Sequence, residues 1–227
     1  MQKAKLALAI AALITALPLL QGCVPAVVTG ATVATMSAYD RRSTGIQTDD
    51  ESAEWKAGAS VPEQYKETAH VNFTAYNRRL LITGEVPTDD AKRIIGDQAA
   101  RVAGIREVIN ETVVGPATSM SVRSNDSYLT SKVKARLVDA KEVSAFNIKV
   151  VTENGTTYLL GIVTEREAAV AATVASRTEG VRKVVKVFEV VSDTEAKRLD
   201  TLPNPARSDA PPPPPKPPAQ PAPVENR

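Results

Sequence analysis

VNFTAYNRRLLITGEV, residues Val71–Val86, and IKVVTENGTTYLLGIV, residues Ile148–Val163, write one pattern twice at a shift of 77, with Gly84 falling on Gly161 and Val86 on Val163. Each stretch is two runs rich in β-branched and aromatic residues, broken by a short polar segment. In the second copy that segment, Glu153-Asn154-Gly155, contains the Asn-Gly pair that favours a tight hairpin, whereas Tyr76-Asn77-Arg78 in the first copy is a weaker turn. The repeat extends outward from the hairpins. Downstream, past a one-residue slip, a shift of 76 sets Ala99, Arg101, Gly104, Arg106, Val108 and Val114 on Ala175, Arg177, Gly180, Arg182, Val184 and Val190. Upstream, Asp50 falls on Asp126 at the same shift. Two copies of one unit account for this self-similarity.

The remaining elements follow from local pattern. Asp126 is placed to N-cap a helix in which Leu129, Val133 and Leu137 recur every fourth residue, and Asp50 is placed likewise before Ala53, Ala57 and Val61. A second, Ala-rich helix is expected over Thr88–Val102 and Glu165–Thr178, with Gly104 and Gly180 as stops. A closing strand is expected over Ile105–Val114 and Val181–Val191. The fold class is therefore α+β: two tandem α-β-β-α-β domains, residues 49–115 and 125–192, each a three-stranded mixed sheet with two helices on one face. Units this small bury little surface alone, so the copies should pack on each other.

The flanks carry an address. Lys3 and Lys5 precede an apolar run, Leu6–Leu20, too short to span a bilayer comfortably, and Leu19-Leu20-Gln21-Gly22-Cys23 reads as a bacterial lipobox. Residues 1–22 are then a signal peptide, Cys23 is the acylated first residue of the mature chain, and residues 23–48 form a tether. Each buried acyl methylene contributes about 0.8 kcal/mol, so a three-chain anchor holds where one chain would not. Val24, not Asp, follows the cysteine, which by the sorting rule of enteric bacteria makes the outer membrane the destination. At the other end, eleven of sixteen prolines lie between Pro203 and Pro223, so residues 193–227 are expected to be a disordered, polyproline-rich tail.

Composition excludes several chemistries. One histidine, His70, and one cysteine, assigned to the lipid anchor, supply neither a thiol–imidazole pair nor a zinc motif, and no Gly-rich phosphate loop follows a strand. Asp49-Asp50 and Asp89-Asp90 stand directly before expected helices, where carboxylates cap N–H groups, and so read as caps and not as catalytic dyads. No catalytic residue, metal or cofactor is expected. Removing the signal leaves 26 basic against 26 acidic side chains, a balance that does not point to nucleic acid. The copies differ, however: residues 40–115 hold 10 Lys+Arg and 13 Asp+Glu, residues 120–192 hold 11 and 8. Basic character concentrates on the first helix of the second copy, where Tyr128, Lys132, Lys134 and Arg136 leave the core face. An aromatic beside lysines suits a membrane interface, and it also suits an inter-domain contact with a solvated basic face.

Capped helix, hairpin, Gly-Val strand end, Ala-rich helix and closing Gly-Val/Ile-x-x-Val strand together resemble the BON domain. The resemblance spans about residues 39–192 and is carried by Arg41-Arg42-Ser43-Thr44-Gly45-Ile46-Gln47-Thr48-Asp49-Asp50, Val71–Tyr76, and Val151–Gly155 through Gly161–Ala168. A lipobox with two BON copies is similar to periplasm-facing outer-membrane lipoproteins of that family. The resemblance implies binding of anionic phospholipid, notably phosphatidylglycerol, through the first helix of the second domain. By position the contacts would be Tyr128, Leu129, Lys132, Val133 and Arg136, with Tyr128 standing where close relatives carry tryptophan. It further implies enrichment at the division site, a part in outer-membrane integrity, and proximity to the β-barrel assembly machinery. The alternative is a structural or protein-docking scaffold with no lipid specificity, using the acidic first copy and the proline tail.

Overall fold

The computed structural model describes residues 40–202. The signal peptide, Cys23, residues 24–39 of the expected tether and the proline-rich stretch lie outside the described residues. In chain order the elements of the first repeat are α1 (Thr44–Ala59), α2 (Glu63–Lys66), β1 (His70–Tyr76), β2 (Arg79–Val86), α3 (Asp89–Ala99), β3 (Glu107–Asn110) and β4 (Val113–Val114). The second repeat comprises α4 (Met120–Asp139), a 3-10 turn at Ala145–Asn147, β5 (Ile148–Glu153), β6 (Thr156–Val163), α5 (Glu165–Ser176), β7 (Lys183–Val190) and α6 (Asp193–Thr201). In each repeat the hairpin is antiparallel and the closing strand runs parallel to its second arm: β1-β2-β3 with β4 continuing beside β2, and β5-β6-β7. The α+β class with two mixed sheets is as the sequence predicts.

Strand alternation gives each sheet two apolar faces. Leu80 and Ile82 of β2 point to the helix side with Ala57, Ala75 and Ala99, while Val86, Ala91 and Ile95 extend that layer. In the second repeat Val150, Leu159 and Val163 meet Val133, Leu137, Ala168, Ala171 and Ala175. The opposite faces, Tyr76 and Leu81 from one sheet and Tyr158, Leu160, Ile162 and Val187 from the other, form a third core between the sheets. The order is helices, sheet, sheet, helices, and the two repeats share an interior that neither could bury alone.

Both hairpins turn in two residues with positive φ throughout: Asn154 (44°) and Gly155 (67°), Asn77 (51°) and Arg78 (65°). These are type I′ turns, whose twist matches that of the strands. An arginine in the left-handed region carries strain that glycine does not. Arg78→Gly should therefore raise stability by about 1 kcal/mol in urea unfolding; a loss of stability would show that the Arg78 side chain matters more than its backbone. The aligned glycines have their own reason. A Cβ on Gly84 would overlap the carbonyl oxygen of His70, and one on Gly161 that of Asn147, so both hairpins need a bare Cα where β2 and β6 cross the start of their partner strands.

Two expectations about helix starts are corrected. Asp50 and Asp126 are not N-caps: Ser43 and Ser119 are, each side chain accepting from the N–H three residues on, and both aspartates lie inside longer helices. Each is buried and turned toward its own hairpin. Asp126 accepts from the N–H groups of Asn154 and Gly155, both at 2.8 Å, and Asp50 from those of Asn77 and Arg78 at 2.7 and 2.8 Å. The carboxylates thus satisfy the orphan donors of the tight turns and rivet the first helix of each repeat to its hairpin. Asp89 and Asp90 do fall in the first turn of a helix, behind the Thr88 cap.

Two expectations about the flanks are corrected as well. Residues 40–48 are not tether: Asp40 and Arg41 are buried, and helix α1 starts at Thr44. Arg41 crosses to the second repeat, donating to both oxygens of Glu167 (2.7 and 3.0 Å), both of Asp200 (2.9 and 3.1 Å) and the carbonyl of Ile162 (2.9 Å). Nor does residue 193 begin a disordered tail, because Asp193–Thr201 is helical, capped by Ser192, with Ala196 buried and Leu199 packed against the inter-sheet core. An apolar position every third residue, 196 and 199, is too short a pattern to announce a helix.

Candidate functional site

Helix α4 carries most of the residues singled out for binding, and its core face is fixed first. Asp126, Leu129, Val133 and Leu137 are buried in one stripe, the last two packing on β5, β6 and α5. Leu129 and Val133, expected among the lipid-contacting residues, are therefore interior, with 2% and 0% exposure, and hold the helix in place from within. Four-residue spacing placed them on one face, and that face is the core.

Tyr128 lies on the outer face and is 61% exposed. Lys132 Nζ stands 5.7 Å from the centre of its ring, a cation–π distance. Lys132 and Arg136 lean toward the end of α5: Lys132 donates to the carbonyl and carboxylate of Glu179 (3.2 and 3.3 Å), and Arg136 to the carbonyl of Arg177 (2.8 Å). Both cations thus cap the negative end of a neighbouring helix while remaining at the surface.

Toward the C-terminal end of α4 sequence reasoning missed a cleft of about 380 Å³ between the two repeats. Its walls come from both repeats, Lys134, Val138, Phe146 and Lys149 from the second and Asp40, Arg42, Glu51 and Tyr76 from the first. Val138 is 68% exposed and Phe146 41%, so the cleft offers apolar surface to whatever approaches α4. Lys149 is paired with Glu54 of α1 at 2.6 Å, whereas Lys134 has no acidic partner among the described residues. Burial and the nearby Lys149 charge push the Lys134 ammonium below the usual lysine range. No helix among the described residues is long and apolar enough to cross a membrane. Phe146 sits in a 3-10 turn outside any amphipathic period, and its only sequence signal is being one of three phenylalanines in the chain.

Two αββαβ units packed sheet to sheet, the second with an exposed aromatic and cations on its first helix, define a tandem-repeat α+β protein. The BON domain model matches residues 49–116 and 125–192, and the chain belongs to the family of dual BON-domain outer-membrane lipoproteins typified by DolP. It is 43% identical over 182 residues to the outer membrane lipoprotein DolP of Haemophilus influenzae, covering 79% of this chain and 94% of that one. It is 38% identical over 154 residues to the 21 kDa hemolysin of Actinobacillus pleuropneumoniae, covering 67% of this chain and 79% of that one. Among solved structures, the C-terminal domain of CdsD, a structural protein of the type III secretion system of Chlamydia trachomatis, aligns with 61% of this chain and 96% of its own at 12% identity, with a TM-score of 0.27.

Proposed function

We propose that the chain is a non-catalytic, periplasm-facing lipoprotein, anchored in the outer membrane through acylated Cys23, whose second BON domain binds anionic phospholipid, with phosphatidylglycerol the preferred headgroup. The observation that carries this reading is the surface of α4, where exposed Tyr128 stands beside Lys132, Arg136 follows one turn on, and Lys134 and exposed Val138 line the cleft that Phe146 closes. An amphipathic ring belongs at headgroup depth, basic side chains meet phosphates, and exposed aliphatic groups meet the acyl boundary. Because the anchor already confines the domain to one membrane, weak headgroup affinity suffices. Enrichment at the division site, support of membrane integrity and proximity to the β-barrel assembly machinery belong to the same reading.

Cosedimentation with vesicles tests it. Binding to phosphatidylglycerol vesicles should exceed binding to zwitterionic ones and fall with salt. Lys134→Glu and Tyr128→Ala should each weaken it roughly fivefold, about 1 kcal/mol per contact at the surface. Tyr128→Trp should tighten it, since the larger ring buries more area. Because Lys134 loses its proton below the usual lysine range, binding should decline at a lower pH than an ordinary lysine would dictate, and that early decline should vanish in Lys134→Arg. Equal binding to both vesicle types by all variants would instead favour a protein-docking scaffold. That second reading is supported by Trp55, which is 82% exposed on α1 of the acidic repeat.

A further inference from the structure

The packing of the repeats brings together three side chains that no motif connects. His70 opens β1, Glu85 lies opposite it on β2, and Glu153 ends β5 of the other repeat. His70 Nδ1 is 3.1 Å from Glu85 Oε2 and 3.9 Å from Glu153 Oε1, and one ligand atom from each residue lies within 4.8 Å of the other two. We propose that His70, Glu85 and Glu153 form a divalent transition-metal site, of the zinc class, that clasps the first repeat to the second.

Geometry, charge and repeat symmetry each support the assignment. Ligands about 2.0–2.2 Å from a tetrahedral zinc stand roughly 3.3–3.6 Å apart, and the two imidazole–carboxylate separations bracket that value. One imidazole nitrogen with two carboxylate oxygens is a donor set for zinc and its neighbours. Both glutamates are buried, at 5% and 9% exposure, so two adjacent carboxylates with a single imidazole between them leave negative charge that a divalent ion would balance. Outer partners already orient the ligands: Asn72 Nδ2 donates to Glu153 Oε2 at 2.7 Å, and the Thr118 N–H to Glu85 Oε2 at 3.1 Å. Glu153 Oε1, the atom aimed at His70, accepts no hydrogen bond among the described residues. Beside the triad a cavity of about 170 Å³, lined by Glu85, Glu111, Glu153 and Arg182 among others, leaves room for solvent to complete the coordination; Arg182 itself is held by Asn154.

The shift of 77 that relates the hairpins maps His70, Glu85 and Glu153 onto Asn147, Ile162 and Tyr76. Those positions also meet, at the opposite end of the inter-sheet core, where the Tyr76 hydroxyl lies 3.3 Å from the Asn147 carbonyl and its ring packs with Ile162. One end of the interface is closed by a phenol ring and an apolar side chain. At the other end all three positions have been replaced by groups that ligate metals.

The test uses the acylated lipoprotein in detergent, freed of metal by a chelator; its one cysteine, Cys23, carries the lipid as a thioether, so no thiol competes. Zinc chloride is titrated by calorimetry, with magnesium and calcium chloride in parallel. The expected result is one zinc per chain, weak or absent magnesium and calcium binding, and at least tenfold weaker zinc binding in His70→Gln and in Glu153→Gln. At about 100-fold over its Kd, zinc should raise Tm by roughly 5 °C or more. His70 is the only histidine, so its imidazole resonances report occupancy with no substitution in the site and must move on zinc addition. No zinc binding, zinc binding that leaves those resonances unmoved, or undiminished affinity in a folded His70→Gln chain would overturn the proposal.

Discussion

An Asp126→Ala chain is expected to unfold about 3 kcal/mol more readily than the wild type, because two backbone N–H groups at the β5–β6 turn, that of Gly155 buried, lose the buried carboxylate that accepts from both. For a folded unit of this size the corresponding fall in Tm is roughly 10 °C. Asp126→Asn should recover about half of the loss, since an amide offers one acceptor oxygen to two donors and turns an N–H toward the second. Asp50→Ala should cost more than Asp126→Ala. Its carboxylate also receives Arg42 at 2.8 Å, and the turn it steadies contains Arg78 in a strained conformation instead of glycine. Thermal and urea unfolding followed by circular dichroism measure both. An Asp126→Ala chain within 0.5 kcal/mol of wild type would mean that water reaches the turn and replaces the carboxylate.

Removing the Arg41 side chain should cost roughly 3 kcal/mol, the usual penalty for leaving buried acceptors without their cation. Its guanidinium, 4% exposed, serves two carboxylates and a carbonyl, so Arg41→Lys should rescue little: an ammonium cannot grip both carboxylates bidentately. Hydrogen exchange should localise the damage to α6, whose Asp200 is one of the three groups released. The loss also carries a pH signature. Burial pushes the Glu167 carboxyl up, but hydrogen bonds from Arg41 and Thr164 outweigh it and hold the group below its ordinary value of 4.5. A carboxyl with a depressed folded-state pKa stabilises the fold above its unfolded pKa and ceases to do so as pH falls through the folded value. The gap between wild type and Arg41→Ala should therefore be widest near neutral pH and narrow below about pH 4. A gap unchanged down to pH 3 would show that Arg41 acts through packing alone.

The hairpins, the Ala-rich helices and the closing strands were legible because their signals are local: a two-residue turn, a cap, a period. Helix starts were not. The first turns of α1 and α4 bury almost nothing, so Ser43 and Ser119 open them without an apolar stripe to mark the place, and the first buried position is an aspartate. Sequence alone could not tell an aspartate that caps its own helix from one that serves a turn 27 to 29 residues away. The same limit applies to the surface. An aromatic beside cations on α4 is visible in the sequence, whereas the cleft that Phe146 and Val138 line forms only when the 3-10 turn docks against α4. Leu129 and Val133 enter the binding set only through the family resemblance, against their own core-facing period, and packing places them inside.

Helix α1 belongs to the helical layer of the first repeat and α4 to that of the second, yet both reach one cleft, Gln47 and Glu51 from α1 and Lys134 and Val138 from α4. If α4 meets lipid as proposed, the acidic first repeat comes with it: Glu51 shares the cleft with Lys134 and Glu54 holds Lys149, so part of the positive charge near the headgroups is already answered within the chain.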